Sequence, residues 1–266
     1  MDGLILQNLW QMMEKIAIYT CIIGGYDELQ QPAVVEEGFD FICFVGPGER
    51  TAERVGVWEI RELAELPAGG PRMASRWPKM HPHLLLPEYA CSVWIDGNVA
   101  LLDGTLYRAA HIKAAAGVKY SGVTHPDRDG TYSEARKCFD MKYLNIFELF
   151  WVWAYLRVHG LPRHAGLNEN NIIFRRHNDP DIVALDEMWW KRLPRLGRRD
   201  QLSLMWCLRR CGIPRDYLLP PGQNPQPSGL PLPAAQIICV KYCVFRCFAL
   251  SLPSIPRVGM YLGLII

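Results

Sequence analysis

The sequence has no charge excess. Its 266 residues carry 29 Lys and Arg against 27 Asp and Glu, a net charge of +2. That is too balanced to argue for nucleic acid, where a strong basic excess or stripe is expected. No run reaches the roughly 18 uncharged apolar residues of a membrane span. Residues 237–252 come nearest, but Lys241 and Arg246 interrupt them, so the stretch reads as a buried or interfacial helix. There is no CxxC pair, and nine cysteines, an odd number, cannot all pair within one chain. Reduced thiols in a cytoplasmic setting are the expectation. Cys239, Cys243 and Cys247 recur every four residues and read as small apolar side chains rather than metal ligands. Residues 1–14 lack both a basic segment and a small-residue cleavage site, which argues against a signal peptide. There is no internal repeat, and no histidine follows His177.

What is present is half apolar and about a fifth charged, the composition of a packed globular domain. Residues 15–23 (KIAIYTCII), 39–45 (FDFICFV) and 91–95 (CSVWI) are apolar, β-branched or aromatic runs closed by turn residues, and each predicts a strand. Residues 55–60 (VGVWEI), 119–123 and 171–175 (NIIFR) predict three more. Helices are expected over 72–89, interrupted by three prolines, over 132–157 in more than one piece, and over 181–193 and 200–211. Strands alternating with helices point to an α/β layered sheet. The proline-rich residues 214–233 read as a linker between a main domain, 1–213, and an apolar C-terminal appendage, 234–266.

In an open α/β sheet, ligands bind beyond the carboxyl ends of the strands. The first strand ends at Gly24-Gly25-Tyr26-Asp27, where glycine permits close backbone approach, although a plain turn explains it equally. The strand 91–95 runs straight into Asp96-Gly97-Asn98. It delivers a carboxylate and an amide oxygen two residues apart, ligands suited to Mg²⁺ or Mn²⁺ with a phosphate, or simply a turn. Just upstream, Ser75 to His83 gathers two cations, two imidazoles and an indole. Arg76 and Lys79, three apart, share a helix face and would serve a diphosphate. His81 and His83 with Asp96 would instead make a zinc site. Arg195, Arg198, Arg199, Arg209 and Arg210 form either a solvated face or an anion site.

The ordered elements YTCIIGGYDEL, FDFICF, SRWPKMHPHLLLPEY, SVWIDGN, His125-Pro126-x-Arg128, GLNENNIIFRRHNDP, EMWW and RRDQLS span residues 15–211. Together they resemble a family of glycosyltransferase-like proteins long catalogued as a domain of unknown function, with bacterial members often among surface-polysaccharide genes and plant members in the Golgi. The resemblance implies a GT-A type, Rossmann-like mixed sheet flanked by helices. A DxD-type motif would hold a divalent metal and a nucleotide diphosphate sugar. Asp96, Gly97 and Asn98 fall where that motif lies, with Asn98 in place of the second acid. Asp200-Gln201 resembles an Asp-Gln element that faces the donor sugar; the competing role for Asp200 is a helix N-cap.

The function expected is therefore transfer of a hexose from a nucleotide diphosphate sugar to an acceptor hydroxyl in glycan or surface-polysaccharide synthesis. Asp96 and Asn98 would bind Mn²⁺ or Mg²⁺. Thr20, Gly24, Tyr26, Arg76, Lys79, Asp96, Gly97 and Asn98 would line the donor site. Asp200, Gln201 and Glu169, the last on a polar loop over 166–171, would hold the sugar or act as base. His125 and Arg128 would meet acceptor or phosphate. The competing readings are a metal-dependent hydrolase built on His81, His83 and Asp96, and a non-catalytic sugar-nucleotide-binding protein. The expected location is cytoplasmic, with a peripheral contact at the inner membrane face through the apolar tail.

Overall fold

A computed structural model describes residues 15–219. Seven strands form one mixed sheet in the order β3-β4-β2-β1-β5-β7-β6. Its heart is β1 (Ile16–Cys21), β2 (Phe39–Val45), β4 (Trp58–Glu62) and β5 (Cys91–Ile95), paired parallel. These are the unbroken apolar runs of the sequence, and β1 and β5 are buried at every position. Strands covered on both faces need apolar residues at both parities, so they show continuous rather than alternating hydrophobicity. The residues VGVWEI do not form one strand. Gly56, in the left-handed region at φ 62°, folds them into a hairpin of β3 (Arg54–Val55) against β4. Beyond β5 the direction reverses: β7 (Asn168–Arg175) runs antiparallel to both β5 and β6 (Tyr120–Thr124). This is the mixed α/β sheet flanked by helices that the family resemblance implied.

Two cores sit on opposite faces. One face packs Ile16, Ile18 and Phe41 of the sheet against Leu106, Tyr107 and Ala110 of a helix at residues Thr105–Ala115. The sequence reading leaves that helix unassigned. The other face packs Tyr19, Ile42, Trp94 and Ile173 under the remaining helices. In chain order the helices are α1 (Pro71–Met80), α2 (Pro82–Leu85), α3 (Thr105–Ala115), α4 (Thr131–Asp140), α5 (Ile146–Val158), α6 (Pro180–Arg192) and α7 (Leu204–Arg210). Proline fixes several of these boundaries. Pro71, Pro82 and Pro180 each occupy the first turn, where a missing N–H costs nothing, while Pro78 removes one rung inside α1. Asn145 and Glu148 cap α5 reciprocally, each side chain accepting the other's backbone N–H.

The segment 200–211 splits in two. Asp200–Leu202 is a 3₁₀ turn that leads into α7, so Asp200 is not the N-cap of an α-helix; its side chain goes elsewhere. The polar segment ahead of NIIFR is also shorter than expected, because β7 already begins at Asn168 and takes Glu169 into the sheet. Of the expected linker, residues 214–219 are described. Gly122 of β6 donates its N–H to Asp216 and accepts the N–H of Leu218, fixing them to the sheet edge. Leu218 and Leu219 are buried. Residues 220–233, the appendage 234–266 with its three cysteines, and residues 1–14 lie outside the described residues. The six described cysteines are free thiols. No helix among the described residues is long and apolar enough to cross a membrane.

Candidate active site

Three segments far apart in sequence converge on one ammonium group. The last turn of α1 points Lys79 into the face of the sheet below Trp94. Its Nζ donates to Asp200 Oδ2 at 2.7 Å and to Asp96 Oδ1 at 3.1 Å, and lies 5.5 Å from the centre of the Trp94 ring. Lys79 and Asp200 are buried, whereas the Asp96 side chain keeps 41% of its surface. The cluster thus opens to solvent through Asp96. The Trp94 indole N–H also donates to Asp96 Oδ1, at 2.7 Å, which fixes the carboxylate at the tip of β5.

A charge this deep needs partners. Burial alone would raise the Asp200 carboxyl, but Lys79, Arg76 and Arg199 outweigh it and hold the group well below the usual carboxylate range. Arg76 therefore acts on Asp200, as its three-residue spacing from Lys79 on α1 allows. Behind Lys79 lies a second buried pair. Arg175 of β7 donates to Asp186 of α6 at 2.7 Å, to the Tyr19 hydroxyl at 2.6 Å and to the backbone carbonyl of Lys79 at 2.6 Å. That last bond clamps the end of α1 onto the sheet, and with it the position of the ammonium.

Gly97 has a steric role. A Cβ there would lie 3.0 Å from Asp27 Oδ2 and 3.2 Å from Asp27 Cβ. Asp27 follows the first strand's glycine turn and is tucked in behind Asp96. Burial, then repulsion from Asp96, raises its carboxyl above the ordinary value. Its neighbour Tyr26, expected to line the donor site, is 88% exposed. Gly97→Ala is expected to push Asp27 aside, destabilising the domain by about 1–3 kcal/mol. Melting curves of the variant and the wild type test this, and an unchanged Tm would refute the crowding.

Glu169, Gln201, His125 and Arg128 form a neighbouring cluster. Gln201 donates Nε2–H to the Glu169 carbonyl at 3.1 Å and accepts from Arg199 at 2.9 Å. His125 Nδ1 accepts the amide N–H groups of Asp127 and Arg128, and its Nε2 lies 2.7 Å from Arg128 Nη2. Burial, followed by Arg128, lowers the His125 pKa. Arg128 is tied at 2.6 Å to Glu134, so its guanidinium braces α4. Next to Glu169, buried Asn170 holds φ 65°, a left-handed conformation costly for a residue with a Cβ.

Thr20 is buried at 1% exposure; alternation along β1 puts it on the face of Ile16 and Ile18, away from Tyr19 and Lys79. Gly24 gives its N–H to Glu49, which also takes the N–H of Gly46 and so ties together the loops after β1 and β2. His81 and His83 do not join Asp96. His81 stacks on Trp77, and both imidazoles face Glu187 of α6 at 3.6 and 3.8 Å. Among the described residues no three His, Cys, Asp or Glu side chains are grouped to hold a metal. Asp96, Asn98 and the nearby Asp27 do supply hard oxygens of the kind that hold Mg²⁺ or Mn²⁺ when a substrate phosphate completes the shell.

Comparison with known proteins adds an independent line. The family model described as "TOD1/MUCI70, glycosyltransferase-like domain" matches residues 6–217. A curated relative, "Probable hexosyltransferase MUCI70" of Arabidopsis thaliana, is 23% identical over 211 residues, covering 71% of this chain and 36% of that protein. The chain thus spans about a third of that relative's length. Among solved structures, the apo form of mouse xyloside xylosyltransferase 1 aligns with a TM-score of 0.39 and 10% identity over 77% of this chain and 84% of the other.

Proposed function

Because this chain belongs to the TOD1/MUCI70 glycosyltransferase-like family, we propose that it moves a hexose from a nucleotide diphosphate sugar to an acceptor hydroxyl of a glycan, in surface-polysaccharide or glycan synthesis. The observation that carries the reading is Lys79 held between Asp96 and Asp200 at the open end of the sheet. The electrostatic task in such a transfer is to neutralise the diphosphate as it departs. Arg76 and Lys79 bring fixed positive charge to that place. A divalent cation there would be held by Asp96 and Asn98 and would supply further neutralisation of the leaving group.

Asp200, kept ionised by its cationic neighbours, accepts hydrogen bonds from sugar hydroxyls. Gln201, anchored at both ends of its amide, faces the transferred sugar. Glu169 is the carboxylate we assign as general base, beside His125. Asp96 fixes the outer edge of the donor pocket, with Trp94 holding its carboxylate in one orientation.

A thermal-shift screen of nucleoside diphosphates and their sugars, with and without Mn²⁺, tests the reading. At about 100 times its Kd, a ligand stabilises by about 2.7 kcal/mol, which for a domain of this size raises Tm by roughly 5–10 °C. A uridine or guanosine diphosphate is expected to give such a shift. Asp96→Ala is expected to remove the part that depends on Mn²⁺. A flat response to every nucleotide would sink the proposal. Nucleotide-sugar binding without turnover or hydrolysis would favour a non-catalytic sugar-nucleotide-binding protein that kept the fold.

A further inference from the structure

Glu134 is a buried carboxylate with no place in the chemistry described so far. It sits in the first turn of α4 at 2% exposure. Its Oε2 accepts from Arg128 at 2.6 Å and its Oε1 from Arg199 at 3.4 Å, with the Cys138 thiol also donating to Oε1 at 3.4 Å. Arg199 uses the same Nη2 to reach Gln201 Oε1 at 2.9 Å, and its guanidinium lies 5.1 Å from the Tyr143 ring centre. One acid therefore gathers two guanidinium groups, and one of these holds the side chain that faces the donor sugar.

The amide of Gln201 has only one acceptable orientation in this setting. Its oxygen meets a guanidinium and its nitrogen meets the Glu169 carbonyl. Flipping it would set N–H against N–H and carbonyl against carbonyl, losing both hydrogen bonds. The Arg199 bond is charge-assisted, so it polarises the amide as well as orienting it. Arg199 stays in reach because Glu134 holds it, and Glu134 is itself fixed by Arg128 and by the helix. Each link is within contact distance and mostly buried, which is the arrangement that keeps a functional side chain in one rotamer.

We infer that Glu134 and Arg199 are positioning residues that aim the Gln201 carboxamide at the sugar of a nucleotide diphosphate hexose, without touching the diphosphate. The inference rests on the proposed function and goes further by assigning to this buried relay the hexose increment of donor binding. It separates two quantities. Affinity for the nucleoside diphosphate alone belongs to Arg76, Lys79 and Asp96. The additional affinity from the attached hexose belongs to Gln201 and the relay behind it.

The test measures binding of UDP, GDP and a panel of their hexoses to the full chain by calorimetry, for wild type, Glu134→Gln, Arg199→Met and Arg199→Lys. Expected is diphosphate affinity within about twofold of wild type for Glu134→Gln and for Arg199→Lys, which keeps the charge beside Asp200, and loss of about tenfold in hexose-diphosphate affinity for Glu134→Gln and Arg199→Met. Arg199→Lys, which keeps the charge but not the fork, should recover part of that loss. If Glu134→Gln does not fold, the two Arg199 variants carry the comparison, since Arg199 is the more exposed partner. Equal losses for diphosphate and hexose-diphosphate, or no loss, would overturn the relay while leaving the proposed function intact. Wild-type protein that binds none of these ligands would remove both.

Discussion

Lys79→Met should unfold more easily at neutral pH and bind donor at least about 100-fold more weakly. The substitution keeps the aliphatic length but leaves Asp200 buried without its nearest cation. Breaking a buried ion pair from one side typically costs about 3–5 kcal/mol. The effect on pH dependence has a definite sign. In wild type the Asp200 carboxyl is held well below its unfolded value of about 3.9. Its contribution to stability is therefore present above that value and fades only as pH falls through the lower, folded one. Burial is already the largest influence on Asp200, so removing Lys79 leaves only Arg76 and Arg199 against it and the folded value rises. A rise past the unfolded value makes the variant lose stability as pH rises through the new value. Melting temperatures from pH 7 down to about 4.5 should show the gap to wild type narrowing on acidification. A constant gap would mean that Asp200 does not carry the penalty. Donor titration of the folded fraction, done separately, checks the loss of affinity.

A second large effect is expected at Arg175. This residue is fully buried and its partner Asp186 equally so. The pair is incompletely satisfied: Arg175 Nε and Asp186 Oδ2 are buried without hydrogen-bond partners among the described residues. Burial raises the Asp186 carboxyl, with Arg175 opposing. Arg175→Met strands that acid together with the Tyr19 hydroxyl and the Lys79 carbonyl. A loss of about 3–5 kcal/mol follows, or roughly 6–20 °C in Tm for a domain of this size. Replacing both partners, Arg175→Met with Asp186→Leu, removes the unpaired charge and should recover at least half of the loss. Donor binding by the double variant should stay weakened, because nothing then ties the end of α1 to β7. If the double variant is as unstable as the single one, the pair stabilises the fold through geometry that apolar packing cannot replace.

These effects show which parts of the molecule can be read from sequence. Strands β1, β2 and β5 were legible because burial on both faces demands uninterrupted apolar runs. The helices α5 and α6 were legible from composition and from Pro180. Helix α3 was not, since TLYRAAHIKAA has no side-chain cap and mixes polar residues into its buried stripe. VGVWEI reads as one strand because the two-residue turn, Gly56-Val57, itself carries an apolar residue and breaks the run by a single glycine. For the site, neighbours in sequence were visible: Arg76 with Lys79 on one helix face, and Asp96 with Asn98 across a glycine. Asp27 sits beside Tyr26 in the same glycine turn, and only its burial against Gly97 and Asp96 sets it apart. Glu134 looked like an ordinary first-turn acid, and only its burial between two arginines distinguishes it.

The bond between Lys79 and Asp200 spans 121 residues. Closing so long a loop is entropically unfavourable, and no local structure offsets it in advance. The residues of β1, β2, β5 and Lys79 all precede Asp200 in the chain, so this ion pair can form only once residue 200 has been made. Until then Lys79 has only one of its two acids, and its pocket lacks a wall. The Lys79–Asp200 pair of the proposed donor site therefore depends on a long-range closure, and on that proposal a fluorescent nucleotide is expected to report completion of the tertiary structure rather than collapse of the sheet.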